Sequence, residues 1–213
     1  MAEELVLHGE DLWESPYVFS AFVALKEKGL PFRMELLSLD GREHDRPAYR
    51  DASLTGRVPA LRHGDFWLAE SSAIAEYLDD AFPPPAHPRL YPEEARERAK
   101  VRMVQAFLRS DLLPLRAERP TASFFCGEPV KPLSEAARAA AERFLRIAAA
   151  LVPDPQGFVA SRWSPADADL ALMVQRLAAN GDPVPEKLRA YAAAIWGRTS
   201  VREWLSHTRW RGP

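Results

Sequence analysis

The stretch Glu14-Ser15-Pro16-Tyr17 carries the side chain with the clearest chemical potential, the hydroxyl of Ser15. Serine followed by proline is a favoured helix start, because serine caps the first turn and proline suits the first helical position. A hydroxyl there can donate a hydrogen bond to an anion, while the exposed backbone N–H groups and the helix dipole add positive potential. A thiolate would be stabilised at this place, and a fall of about two units in a thiol pKa would make the nucleophilic form dominant at neutral pH. Capping alone is the simpler role of Ser15, and the motif by itself leaves both open.

Two further motifs could bind the rest of an extended peptide beside such a thiol. Val58-Pro59 lies between an irregular segment and a strand. A cis peptide bond there would turn the main chain of Val58 outward, so that an extended ligand could pair with it. At the start of a later helix, Glu70 could bind an ammonium group, and Ser71 with its backbone N–H could bind a carboxylate. Proline at a strand start and capping at a helix start are the ordinary alternatives.

Three other polar positions carry weaker signals. His44 lies in an irregular loop from which it could reach a terminal carboxylate. Cys126 is the only cysteine, so no internal disulfide and no cysteine metal cluster is expected, and no neighbouring pattern would activate it as a nucleophile. Ser164 and Asp167 have the spacing of a capping box, which predicts a structural role at a helix start.

The elements that position these residues follow a mixed strand and helix pattern over residues 1–82. The order strand-helix-strand, loop, strand-strand-helix is compatible with a four-stranded mixed sheet of thioredoxin type. The predicted elements are strands at 5–8 and 32–39, a helix from 15 to about 29, an irregular segment over 40–57, two strands flanking a turn at 63–65, and a helix from about 71.

A proline-rich stretch marks the end of this first part. Five prolines fall within residues 82–92, and they oppose regular helix and favour a stiff connector. Beyond it, apolar residues recur at helical spacing in four segments before Gly197. The sequence therefore predicts an α/β domain over 1–82, a linker over 83–92 and an all-α domain over 93–213.

Composition narrows the expected partners. The chain has 28 Lys and Arg against 30 Asp and Glu, a formal charge of -2, which gives no general attraction to nucleic acid. A basic start followed by an apolar run is missing, and no apolar segment has membrane-spanning length, so we expect no membrane association and a cytoplasmic location. A small-molecule ligand without a metal is the expected partner.

Over nearly its whole length the chain resembles the soluble glutathione S-transferases. The family's first-domain patterns G-x-V-P-x-L and E-S-x-A-I-x-x-Y-L appear at residues 56–61 and 70–78. The family's second-domain box is similar to residues 164–167, and residues 198–201 resemble the short turn before its last helix. Within the family, the chain looks most similar to the bacterial YfcF-like transferases, to judge from residues 15–17, 24–29, 108–112 and 118–121.

The resemblance implies a thioredoxin-like domain, a helical domain, glutathione as cosubstrate and a homodimer. A small electrophile would bind between the domains, and helical spacing suggests Tyr17, Phe107, Ser110 and Asp111 as its walls. Carried over to this chain, the family roles are thiol activation by Ser15, pairing of Val58 with the cysteinyl backbone before a cis Pro59, binding of the γ-glutamyl end by Glu70 and Ser71, and a place near the glycyl carboxylate for His44.

One departure from related sites bears on the reaction. Glutaredoxin-type sites resemble Cys-Pro-Tyr-Cys, whereas this chain has Ser15-Pro16-Tyr17-Val18 and cannot form a mixed disulfide there. Conjugation, or reduction of an organic hydroperoxide by bound glutathione thiolate, is therefore the leading hypothesis. A glutathione-binding or interaction module with little turnover is the alternative. Glutathione-dependent isomerisation would need a different first-helix motif and ranks third.

Overall fold

The computed structural model describes residues 3–209 and divides into two compact units, with the boundary between Leu90 and Tyr91. The first unit contains a four-stranded sheet in the order β2-β1-β3-β4. Strand β1 pairs in parallel with β2 and antiparallel with β3, and β3 pairs antiparallel with β4. The elements are β1 (Leu5–Glu10), α1 (Pro16–Glu27), β2 (Arg33–Leu37), a 3-10 turn (Glu43–Asp45), α2 (Pro47–Ser53), β3 (Ala60–His63), β4 (Phe66–Ala69) and α3 (Ser71–Ala81).

Strand β1 is the buried centre of this sheet, and it runs further than the sequence predicted. We expected it to end before Gly9, but Gly9 pairs with Leu36, and Glu10 pairs with Leu37. A Cβ atom on Gly9 would lie 2.7 Å from Cγ1 of Val18, so glycine is required for α1 to approach the sheet. The extension matters because it carries the side chain of Glu10 to the loop that precedes Ser15.

The segment 40–57 was predicted to be irregular, and this prediction is wrong. It forms the 3-10 turn and the two-turn helix α2, which begins with Pro47 at its first position. Tyr49 and Ser53 are buried one turn apart on the inner face of α2, while the other residues of the helix are exposed or half-buried. A helix with only two buried side chains shows no clear apolar periodicity in a segment that is rich in charged residues, so the sequence did not reveal it.

Residues 82–94 form the connector and contain no helix or strand. The backbone N–H of Leu90 donates a 2.7 Å hydrogen bond to Oδ1 of Asp79, at the end of α3. The same oxygen lies 2.7 Å from Nζ of Lys28, which is completely buried. This buried ion pair joins α1, α3 and the connector within the first unit.

In its described residues the second unit is all-helical. Helix α8 is its centre, since its residues from Pro165 to Leu177 are buried, and Trp204, Tyr191 and Phe144 fill the core around it. The helices are α4 (Ala95–Ser110), α5 (Leu113–Glu118), α6 (Thr121–Phe125), α7 (Glu135–Leu151), α8 (Pro165–Ala178), α9 (Glu186–Trp196) and α10 (Thr199–His207).

Two details of the second unit differ from the expectations. The short helices α5 and α6 were not predicted, because five or six residues are too few to show helical periodicity. Residues 198–201 were expected to form a turn, but only Arg198 is extended, and Thr199 begins α10. The burial of Val201 and Trp204 on one face of α10 explains why the helix starts this early.

Asp167 is the hydrogen-bonding centre of the predicted capping box. Its Oδ2 accepts bonds from the backbone N–H (2.8 Å) and the hydroxyl (3.0 Å) of Ser164. Its Oδ1 accepts bonds from the N–H of Val159 and the hydroxyl of Tyr191, both at 2.8 Å. Burial raises the pKa of Asp167, although these four bonds oppose the effect. The carboxyl group thus ties a loop and α9 to the start of α8.

Candidate functional site

The loop between β1 and α1 is held by hydrogen bonds from its backbone to the Glu10 side chain and by the packing of the Trp13 ring. Oε1 of Glu10 accepts hydrogen bonds from the backbone N–H groups of Glu14 (2.7 Å) and Ser15 (2.8 Å). Trp13 has a φ of 57°, in the left-handed region, and its buried ring meets Phe22 edge-on with the centroids 5.9 Å apart. The position of Ser15 is therefore determined by β1 as well as by α1.

Ser15 caps α1 with its hydroxyl oxygen, which leaves the hydroxyl proton to be donated elsewhere. Its hydroxyl oxygen accepts a 3.3 Å hydrogen bond from the N–H of Val18, and no acceptor for its O–H lies among residues 3–209. From the sequence, backbone amides were expected to share in binding an anion. However, Glu10 already binds the N–H groups of Glu14 and Ser15, and Pro16 has none. The Ser15 hydroxyl can cap the helix and donate to a bound anion at the same time.

Val58 offers an unpaired stretch of main chain at the start of β3. The Val58–Pro59 peptide bond is cis, and β3 begins one residue later at Ala60, which pairs with His8 of β1. In the part of the chain that the structure describes, neither the N–H nor the C=O of Val58 has a hydrogen-bond partner. An extended ligand can therefore pair with Val58 as an added strand does.

Glu70 and Ser71 form the start of α3. The side chain of Glu70 is exposed and does not cap the helix, and no other hydrogen bond or ion pair within residues 3–209 uses its carboxylate. Its φ of 69° is unusual for a residue with a side chain, and such strain, of order 1–3 kcal/mol, concentrates at binding sites. Ser71 is the buried first residue of the helix. The structure thus leaves a carboxylate available next to a helix N-terminus.

His44 lies in the 3-10 turn and is half-buried. Its Nε2 atom is 3.5 Å from Oδ1 of Asp45, and its Nδ1 atom is buried without a partner in the described residues. A Cβ atom on Gly56 would lie 3.8 Å from the carbonyl oxygen of His44, so this loop borders the segment that leads to Val58.

The predicted electrophile residues divide between the units. Tyr17 is half-buried in the first turn of α1. In the second unit, the guanidinium of Arg143 lies 5.5 Å from the ring centroid of Phe107 and forms an ion pair with Asp111. The Arg143 hydrogen bond lowers the pKa of Asp111, with help from the adjacent N–H of residue 112. The hydroxyl of Ser110 donates to a carbonyl one turn earlier in α4. The structure therefore brings Phe107 and Asp111 together around Arg143.

Sequence reasoning missed three residues that contact the predicted site residues or their neighbours: Glu10 and Tyr49 in the first unit and Arg143 in the second. Glu10 could have been noticed in the sequence, because it is an acidic residue at the end of the apolar segment that forms β1. Tyr49 had no such signal, because it binds across a loop: its hydroxyl donates a 2.7 Å hydrogen bond to the carbonyl of Arg57. Arg143 meets Asp111 from a helix 32 residues further along the chain.

Two features of other protein classes are missing from residues 3–209. No group of three or more His, Cys, Asp or Glu side chains there could hold a metal ion. None of the helices in that range is long and apolar enough to cross a membrane.

Comparison with known proteins shows the class to which this fold and site belong. Residues 14–81 match the model of the glutathione S-transferase N-terminal domain, and residues 94–209 match the model of the C-terminal domain. The chain therefore belongs to the glutathione S-transferase family. The expected architecture, a thioredoxin-like domain followed by a helical domain, is confirmed.

Curated relatives align over only part of their length. The chain is 32% identical over 109 residues to a Ralstonia maleylpyruvate isomerase, covering 51% of this chain and 50% of the relative. It is 31% identical over 122 residues to human glutathione S-transferase theta-1, covering 55% and 50%. It is 40% identical over 97 residues to the maleylacetoacetate isomerase of Pseudomonas aeruginosa, covering 44% of each. The aligned part of the chain thus spans about half the length of these relatives.

Solved structures align over nearly the whole chain. A Burkholderia glutathione transferase homologue with bound glutathione is 39% identical, with 96% of this chain and 97% of that chain covered and a TM-score of 0.78. Glutathione transferase Omega 3C of Trametes versicolor is 25% identical, with 96% and 90% covered and a TM-score of 0.72. These findings support the family as a whole, and assignment to the YfcF-like transferases stays a prediction.

Proposed function

We propose that this protein binds glutathione and stabilises its thiolate for attack on a small electrophile or an organic hydroperoxide. The observation that carries the proposal is the Ser15 hydroxyl, which accepts from Val18 and has no acceptor of its own within residues 3–209. A hydroxyl that accepts one hydrogen bond becomes a better donor, and this one stands at a helix N-terminus where negative charge is favoured. The Burkholderia homologue with bound glutathione supports the choice of ligand.

The other predicted residues would hold the tripeptide around the thiol. Val58 would exchange main-chain hydrogen bonds with the cysteinyl residue, since its N–H and C=O have no hydrogen-bond partner within residues 3–209. Glu70 would bind the γ-glutamyl ammonium, and Ser71, at the start of α3, would bind the neighbouring carboxylate. His44 would lie near the glycyl carboxylate, with its Nε2 atom also close to the carboxylate of Asp45.

Two reactions of the thiolate follow from this arrangement. In conjugation, sulfur forms a bond to an electrophilic carbon, and the leaving group departs with the bonding electrons. In peroxide reduction, sulfur attacks an oxygen of the hydroperoxide, the O–O bond breaks, and an alcohol and a glutathione sulfenic acid form. A second glutathione then yields the disulfide and water. The predicted contacts for the electrophile are Tyr17 in the first unit and Phe107, Ser110 and Asp111 in the second.

Two further candidates differ from this proposal in what happens after binding. A glutathione-binding or interaction module would keep the same contacts with little turnover. An isomerase is favoured by the names of two relatives, a maleylpyruvate isomerase and a maleylacetoacetate isomerase. Under each candidate we expect a homodimer, as the family resemblance implies, and a cytoplasmic location.

Retention on immobilised glutathione followed by assays with an aryl halide, cumene hydroperoxide and a maleyl diacid separates these candidates. Retention with turnover of the first or second substrate supports the proposal, retention without turnover supports the module, and turnover of the diacid alone supports the isomerase. Ultraviolet titration of bound glutathione tests the mechanism directly. If the thiol ionises at the same pH when bound as in plain buffer, stabilisation of the thiolate is wrong.

A further inference from the structure

Glu10 has a buried carboxylate that takes no direct part in the proposed reaction. It closes β1, is only 3% exposed, and reaches the loop ahead of α1. Its Oε1 accepts the N–H groups of Glu14 and Ser15, whereas its Oε2 is buried without a hydrogen-bond partner in the described chain. Within residues 3–209, no cationic side chain pairs with it. Two backbone amides therefore provide all of its stabilisation there.

The two hydrogen bonds connect the catalytic candidate to the sheet. Ser15 precedes α1 with an extended backbone, at φ -68° and ψ 121°, so its N–H has no acceptor within the helix. Glu10 supplies that acceptor from β1, whose place is fixed by its neighbours β2 and β3. Without the Glu10 carboxylate, the N–H groups of Glu14 and Ser15 would lose this acceptor. The Ser15 hydroxyl would then be held in position only by its bond to the N–H of Val18.

We propose that Glu10 is a positioning residue for Ser15, which holds the thiol-binding hydroxyl in place through the main chain. The inference rests on the proposed function, because it concerns the same thiolate. Glu10 does not touch the thiol in this scheme, and its influence passes through the backbone of Ser15.

The negative charge of Glu10 has a second, opposing effect. A carboxylate in contact with the Ser15 amide lies near any thiolate bound to the hydroxyl of the same residue, and like charges disfavour ionisation. The absence of a cation beside Glu10 in the described residues leaves this repulsion uncancelled. Position and charge can be separated by substitution, since glutamine keeps the accepting oxygen and removes the charge.

Three variants form the test: Glu10→Ala, Glu10→Gln and the control Asp11→Asn, which removes one charge from an exposed side chain of the same loop. We expect Glu10→Ala to lower kcat/KM for glutathione at least about tenfold, because the hydroxyl loses its place. Glu10→Gln should stay within about threefold of the parent at neutral pH. It should also move the acidic limb of the kcat/KM profile down by about half to one pH unit. Asp11→Asn should change neither quantity.

A second measurement does not need glutathione. Amide hydrogen exchange at Glu14 and Ser15 should accelerate in Glu10→Ala and remain slow in Glu10→Gln and Asp11→Asn, while circular dichroism confirms that each variant is folded. Full activity and slow exchange in Glu10→Ala would overturn the inference, as would equal losses in Glu10→Ala and Glu10→Gln. An unshifted acidic limb in Glu10→Gln would also contradict it. If the parent protein neither binds nor ionises glutathione, the proposed function itself is wrong, whereas an active parent with unaffected variants removes only the role of Glu10.

Discussion

The hydroxyl of Tyr49 donates a 2.7 Å hydrogen bond to the carbonyl oxygen of Arg57, the residue before Val58. Burial raises the pKa of Tyr49, so the phenol keeps the proton that it donates. The bond fastens helix α2 to the peptide segment that we propose as the pairing edge for glutathione. Helix α2 thus supports the candidate site from a segment that the sequence suggested was irregular.

Tyr49→Phe is predicted to weaken glutathione binding more than turnover. Loss of one hydrogen bond costs about 0.5–1.5 kcal/mol, and the main chain at Val58 becomes less well held. We expect KM for glutathione to rise about two- to tenfold with kcat nearly unchanged. Steady-state kinetics measures both. The control is Tyr77→Phe, which removes a hydroxyl bonded to His63 at 2.6 Å and leaves the Val58 segment untouched. An equal rise in KM in the two variants would refute the link.

Ser15→Ala is predicted to lower turnover far more than stability. The variant loses the donor to the thiolate, and one lost donor of this kind reduces the rate by about 10- to 100-fold or more. The lost helix cap costs only about 1 kcal/mol of unfolding free energy. Turnover and urea unfolding give the two numbers. Ser134→Ala is the matched control, because Ser134 caps α7 through the N–H of Ala137. It should lose comparable or greater stability and no activity, and unchanged turnover in Ser15→Ala would identify a different donor.

The stability of the first unit is predicted to depend on His8 below neutral pH. His8 is 3% exposed, and its ring stacks on Trp67 with centroids 4.6 Å apart. Burial lowers the pKa of His8, an effect that Glu35 opposes and that Arg62 and Arg33 reinforce. The unfolded chain therefore binds a proton more readily than the folded one.

Stability should accordingly fall as the pH drops below about 6.5, by at most about 1.4 kcal/mol per pH unit, and level off below the folded pKa of His8. Urea unfolding between pH 5 and pH 8 measures this slope. His8→Phe keeps an aromatic ring against Trp67 and removes the titrating group. The unfolding free energy of this variant should therefore change less steeply with pH, by the contribution of His8. A variant with the same slope as the parent would mean that other groups cause the pH dependence.

Asp167→Ala is predicted to be the most destabilising of these changes while leaving the chemistry intact. It removes the acceptor for Val159, Ser164 and Tyr191, and each buried donor left unpaired costs about 1–3 kcal/mol. Thermal and urea unfolding measure the loss, which should exceed about 3 kcal/mol. Ser164→Ala removes only the hydroxyl contact and should cost less. Retained glutathione affinity in the folded fraction would agree with a structural role, and lost affinity would contradict it.

The short-range features of this protein were available from the sequence. The cap at Ser15, the turn between β3 and β4, and the box at the start of α8 each involve residues within a few positions of one another, so local geometry determines them. The periodicity of apolar residues likewise predicted the longer helices, because apolar side chains three or four positions apart line up along a helix and can be buried together.

What the tertiary structure decided depends on residues that are distant in the chain. The bond of Tyr49 to Arg57 and the meeting of Arg143 with Asp111 arise only when separate elements pack together. Even Glu10, five residues from Ser15, acquires its contact because β1 extends past Gly9 in register with β2. Local preferences select the elements, but hydrogen bonds between elements need their relative placement, which the packed sheet and helices alone provide.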